Sequence, residues 1–179
     1  RLREYARLLP EVRVSRGSMR QLLRMGVPIS AQMFLEASAF VLTSVMMGWF
    51  DAVAISANQI ALTMGNFAFM IVTAVGAATT IRISHCYGAR RFDELDTAAR
   101  AALHIVVAWN LFAAVLFVAL RHAIPLIFTT NGEVVSLASS MLVLIALYQL
   151  PDGIQNISVG VLRGVQDVKI IMPLAFAAY

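Results

Sequence analysis

The sequence predicts an all-α fold, a polytopic transmembrane helical bundle, on three observations. Of its 179 residues, 60% are hydrophobic and 13% charged, against about 45–50% and about 25% in soluble domains. The apolar residues gather into four long runs, each near or above the roughly 20 residues that cross a bilayer. The basic residues fall on one side of the resulting alternation. Lipid is the solvent this composition fits.

Taken in order, residues 1–24 carry Arg1, Arg3, Arg7, Arg13, Arg16, Arg20 and Arg24 and read as a basic cytoplasmic linker or amphipathic segment. They lack the compact apolar stretch and small-residue cleavage site of a signal peptide. The membrane part begins at about residue 25. Its first span covers residues 27–50, opened by Pro28 close to a helix N-terminus, where the missing N–H is tolerated. The second covers residues 55–81 and is rich in Ala, Thr, Gly and Met. The third covers residues 98–128, with Arg121, His122 and Pro125 marking its far end. The fourth covers residues 134–162 and contains Pro151. A fifth starts at residue 168 and runs to 179, too short to span. With arginine at position 1 as well, the chain reads as an internal piece of a longer protein.

The connections are short. Residues 48–57 contain Asp51, and residues 129–133 carry an Asn131-Gly132 turn signal. Residues 84–97 and 163–169 are charged. If the spans alternate, every lysine and arginine except Arg121 lies on one side, which the positive-inside rule makes cytoplasmic. This arrangement absorbs the net charge of +4 without a nucleic-acid partner. Cys86 is the only cysteine, so neither an intrachain disulfide nor a CxxC site exists. The sequence has no GxxxxGK[ST] phosphate loop, no HExxH and no GxSxG elbow.

Two acids lie inside the spans. Glu36 is eight residues past Pro28, or roughly 12 Å along a helix, and Asp152 is near the middle of the fourth run. An ionised carboxylate at such depth costs at least about 2.5–3.5 kcal/mol, so these side chains usually face an internal cavity and serve a purpose. The plain alternative is a hydrogen-bonded acid that glues helices together. Tyr148 and Asn156 stand four residues either side of Asp152 and share its face, with Gln149 and Gln155 beside it. Pro151 removes a backbone donor there and loosens the helix, as in transporter ion sites at the membrane midplane. The set is rich in oxygen and suits Na⁺ or a proton. A carboxylate that meets water from alternate sides can load and release such a cation. Gln32, Asn58 and Gln59 are further candidate cavity-lining residues. His104 reads as a packed neutral side chain, and His85 and His122 as interfacial.

Several runs carry a family resemblance. They are Gly26-Val27-Pro28-Ile29, Phe34-Leu35-Glu36, Ala57-Asn58-Gln59-Ile60-Ala61-Leu62, and Gly76-Ala77-Ala78-Thr79-Thr80-Ile81-Arg82 with His85 and Gly88. Tyr148-Gln149-Leu150-Pro151-Asp152 and Leu162-Arg163-Gly164-Val165-Gln166-Asp167 follow. In this order the sequence resembles the multidrug and toxic compound extrusion (MATE) transporters, most closely their bacterial NorM-like branch, from about Arg20 to Tyr179. It departs at Asn58, where many relatives have histidine.

The resemblance implies a twelve-helix protein of two lobes, with residues 25–179 forming part of the C-terminal lobe: the seventh to tenth helices and the start of the eleventh. It implies a multi-pass protein of the bacterial inner membrane and a secondary antiporter, not an enzyme. Such an antiporter exports cationic amphipathic drugs and toxins in exchange for Na⁺ or H⁺. Glu36, Tyr148 and Asp152 are the implied coupling-cation residues, and the implied Na⁺ ligands if sodium is coupled. No cofactor is expected beyond the transported ion. The expected partners are membrane lipid, small cationic organic substrates and the N-terminal lobe. Two other readings stay open. A lipid-linked precursor flippase would want arginine in its cavity, and the spans as drawn contain none. An intramembrane aspartyl enzyme would need Asp152 paired with a second acid.

Overall fold

The computed structural model describes residues 15–167. These form five helices: α1 (Arg16–Met47), α2 (Ala52–Gly88), α3 (Phe92–Ala119), the single-turn α4 (Ala123–Leu126) and α5 (Gly132–Gly164). Helices α1, α2, α3 and α5 are each long and apolar enough to cross a membrane. The all-α bundle is therefore as the composition requires. The fifth span and the stretch 1–14 lie outside the described residues.

The helices overrun the apolar runs that announced them. Helix α1 starts at Arg16 and carries Pro28 inside it, so Pro28 is a mid-helix residue and not the opening one. The charged stretch 84–97 is no loop. Helix α2 continues to Gly88 and α3 begins at Phe92, with Asp93 and Glu94 in its first turn, where acids meet the positive end of the helix dipole. Surface ion pairs Arg82–Glu94 (3.1 Å) and Arg91–Glu94 (3.2 Å) close that corner. The third run breaks after Ala119, and residues 123–126 form α4 with Ile124 and Pro125 buried. Side chains cap two helices. Asp51 accepts from the Ala54 N–H at 2.7 Å, opening α2, and Asn131 accepts from the Glu133 N–H at 3.0 Å, opening α5. Each satisfies a donor that a helix start leaves free.

Helices α2, α3 and α5 make the core. Helices α2 and α5 run parallel, because Gly65 faces Ile145, Gly76 faces Asn156 and Gly164 faces Ile83, a nearly constant offset in sequence. Small residues set their separation. A Cβ on Gly160 would stand 3.1 Å from the Gly76 carbonyl oxygen and 3.2 Å from Thr80 Oγ1. Because Gly160 has no Cβ, Thr80 Oγ1 reaches the Gly160 carbonyl at 2.9 Å and donates to it. Close approach through small residues with hydrogen bonds across the seam is how helices associate in lipid, where burial of apolar surface offers no drive.

Helix α3 runs antiparallel to α5, packing Val106 and Ala102 against Val72 of α2 and Ile157 of α5. Trp109 Nε1 donates to the Ala68 carbonyl of α2 at 3.1 Å. A second apolar cluster toward the opposite end joins Ala61, Phe117, Ile124, Leu142 and Ile145. Large apolar side chains such as Phe67, Met70, Phe112 and Leu144 point outward, as expected of a lipid-facing surface. Trp49 and Phe50 at the α1–α2 turn, with Ile127 and Phe128 beyond α4, expose bulky side chains at the end where Arg121 is the one arginine among the described residues.

Helix α1 differs from the others. Gln32, 4% exposed, is its most buried described side chain, and none of the described residues of α1 joins the three core clusters. Among the described residues, two polar contacts between side chains tie it down. Arg163 Nη2 of α5 donates to Gln32 Oε1 at 3.0 Å, and Asn58 Nδ2 of α2 donates to Ser44 Oγ at 3.5 Å.

Candidate cation and substrate cavity

Between α1, α2 and α5 lies a cavity of about 330 Å³. Helix α1 supplies Gln32 and Glu36, one turn apart on one face; α5 supplies Tyr148, Asp152, Gln155, Asn156 and Arg163. Helix α2 contributes Gly65, Asn66 and Thr73, while Met33, Phe40, Phe69 and Ile145 add apolar wall. The α5 residues recur at three- and four-residue spacing because that period keeps one stripe of a helix facing one way. Glu36 arrives from the opposite wall. The two acids therefore line one space, half-buried, with an amphipathic lining around them.

Not every candidate from the sequence faces this space. Gln59 is exposed on the outer surface of α2. Asn58 is buried, but it is spent on Ser44 and does not line the cavity. The two are neighbours in a helix, about 100° apart around the axis, so one can be buried while the other looks outward. Gln149 does reach the cavity, although its main task is different. Its side-chain Nε2 donates to Asn110 Oδ1 at 3.3 Å, and Asn110 Nδ2 donates to the Gln149 backbone carbonyl at 2.8 Å.

This reciprocal amide pair is nearly sealed, with Asn110 1% and Gln149 3% exposed. It binds α3 to α5 immediately before Pro151. Gly153 makes room for it, since a Cβ there would collide with Asn110 Nδ2 and sit 2.8 Å from Val106 Cγ1. The backbone around Pro151 and Asp152 is thus held from behind by α3. Truncating Asn110 to Ala should strip both bonds and leave the Gln149 amide unpaired, a loss of about 1–3 kcal/mol. The check is the thermal aggregation midpoint of the purified protein, with Asn110→Gln expected to recover little because the site has no spare volume.

Asn66 and Thr73 of α2, Asn110 of α3 and Arg163 of α5 are contributors that the sequence does not single out. Asn110 sits in an uninterrupted apolar stretch, where a lone amide gives no sign of its partner. The sequence places Arg163 in the charged connection 163–169, outside the spans. It is in fact the next-to-last residue of α5, and its side chain turns back along the helix into the cavity. Its Nε is buried and has no hydrogen-bond partner among the described residues.

A protein-family model described as MatE matches residues 28–179. The match takes in all three core helices, nearly all of the cavity-facing length of α1 and every residue placed in the cavity above. The chain belongs to the MatE family of membrane transporters and is a multi-pass membrane protein.

Proposed function

We propose that this protein is a secondary antiporter that exports cationic, amphipathic organic compounds in exchange for Na⁺ or H⁺, with Glu36, Tyr148 and Asp152 as the coupling-cation residues. The observation that carries the reading is one cavity with two carboxylates from opposite walls, half-buried at the depth of a membrane span. A carboxylate at that depth favours a bound cation, a proton or a protonated state over bare ionisation. Tyr148, the amides of Gln155 and Asn156, and Asn66 complete an oxygen-bearing lining of the kind hard monovalent cations take. Phe40, Phe69 and Met33 supply the apolar and polarisable contacts that an aromatic organic cation needs.

The cycle follows from competition for these carboxylates. An organic cation entering from one side displaces the small cation. The cavity then opens to the other side, where the small cation, now abundant, reloads the acids and expels the organic one. Net movement is set by the small cation's gradient, because both ligands bind the same negative charges in turn.

The flippase reading gains one arginine, Arg163, from the structure. A single guanidinium against two carboxylates leaves the cavity short of the positive charge that a phosphate demands, so cation export is favoured. The test is dye efflux from vesicles containing the full-length protein, with Na⁺ and pH gradients imposed separately. Efflux driven by one of the two gradients is expected. Efflux indifferent to both gradients overturns the proposal.

A further inference from the structure

We propose that Arg163 is a resident counter-charge that makes the cavity a single-charge filter, admitting monovalent organic cations in preference to divalent ones of similar shape. The inference rests on the export reading above and deepens it by naming the charge of the substrate.

An arginine at the penultimate position of a membrane helix ordinarily extends toward the headgroups and water. Arg163 does the opposite. Its Nη2 donates to Gln32 Oε1 at 3.0 Å across the interface with α1, and its Nε is buried without a partner among the described residues. Gln32 is itself 4% exposed, so the guanidinium is anchored on a fixed acceptor. Glu36 lies one turn further along α1, roughly 6 Å in axial distance. The positive group and the carboxylate therefore face the same cavity from its two walls.

The guanidinium is not cancelled by direct pairing. Ion pairs among the described residues are Arg82–Glu94, Arg91–Glu94 and Arg100–Asp96, all at the α2–α3 corner. Arg163 thus contributes its field to the cavity without forming an ion pair with Glu36 among the described residues. Arginine keeps its charge at every working pH. With Glu36 and Asp152 ionised, the three groups sum to one negative charge. A monovalent cation neutralises that sum, whereas a dication leaves a positive excess facing a fixed guanidinium. Attraction to the acids and repulsion from the arginine both scale with ligand charge, whereas the cost of desolvating an ion rises with the square of its charge. By halving the net pull of the two carboxylates, the arginine leaves it too weak to offset the desolvation of a dication.

The test compares ethidium, a monocation, with the related dication propidium, in vesicles bearing the full-length protein under the gradient that drives export. The reading is the ratio of their kcat/KM values, which is insensitive to how much protein inserts. Wild type is expected to favour the monocation, and Arg163→Gln to move the ratio about tenfold toward the dication, equivalent to about 1.4 kcal/mol. Gln32→Glu, which pairs the guanidinium with a new carboxylate and leaves Arg163 in place, should shift the ratio the same way. Arg163→Lys should hold the wild-type ratio, because charge and not fork geometry sets it.

An unchanged ratio in both Arg163→Gln and Gln32→Glu overturns the proposal, as does an equal shift in Arg163→Lys, which would make Arg163 a tether for α1 alone. Failure of the wild-type protein to move either dye would instead overturn the export reading and take this inference with it.

Discussion

Neutralising both cavity acids, with Glu36→Gln and Asp152→Asn in one full-length protein, is expected to lower gradient-driven efflux more than about a hundredfold while membrane insertion is retained. The magnitude follows from charge. A unit-charge contact at about 4 Å is worth about 4 kcal/mol at an effective dielectric of 20, and the double variant removes two such partners from one cavity. The amides match the carboxyls in shape and keep hydrogen-bonding capacity, so packing of α1 over α5 is preserved. The measurement is initial efflux rate per inserted molecule in vesicles, with counterflow of a labelled dye as the binding control. Efflux at the wild-type rate in the double variant would refute the assignment of these residues.

The second large effect is structural. Gly160→Leu should destabilise the bundle by about 3 kcal/mol or more, toward the upper end of overpacking costs. The obstructing group at Gly160 is the backbone carbonyl of Gly76, not the tip of a flexible side chain. Relief therefore requires α2 and α5 to separate along the seam, and the Thr80 bond to the Gly160 carbonyl at 2.9 Å goes with it. Gly26→Leu is the matched control, since a Cβ there meets nothing within 4 Å; its effect should stay within about 0.5 kcal/mol. Thermal unfolding of the detergent-purified proteins separates the two. Equal losses at both positions would mean that the seam is not what holds these helices together.

The spans and the two acids were legible because each rests on a large energetic penalty. An apolar run of more than 20 residues has few soluble alternatives, and a carboxylate inside one is too costly to be incidental. Helix ends were not legible. Hydropathy falls at Ile81 and rises again after Thr97, yet the backbone stays helical to Gly88 and resumes at Phe92, because helix formation does not stop at the lipid boundary. Pro28 is a helix opener by hydropathy for the same reason: the apolar run begins beside it, whereas the helix begins twelve residues earlier.

Facing direction was the other blind spot. Asn58, Gln59, Asn66 and Thr73 are all small polar residues in α2, and only the positions of α1 and α5 decide that the last two look into the cavity. Arg163 escaped for a third reason. The positive-inside rule assigns arginines to the cytoplasmic side and is silent on whether a long side chain then points away from the bilayer or back into the protein.

The parallel seam of α2 and α5 also has a consequence for biogenesis. Thr80 and the carbonyl it contacts lie 80 residues apart in the chain. At synthesis rates of roughly 5–20 residues per second, α2 emerges about 4–16 s before the helix it must lie against. During that interval the groove around Gly76 and Thr80 lacks the helix that fills it in the finished bundle. The final bundle closes only when α5 is threaded in alongside.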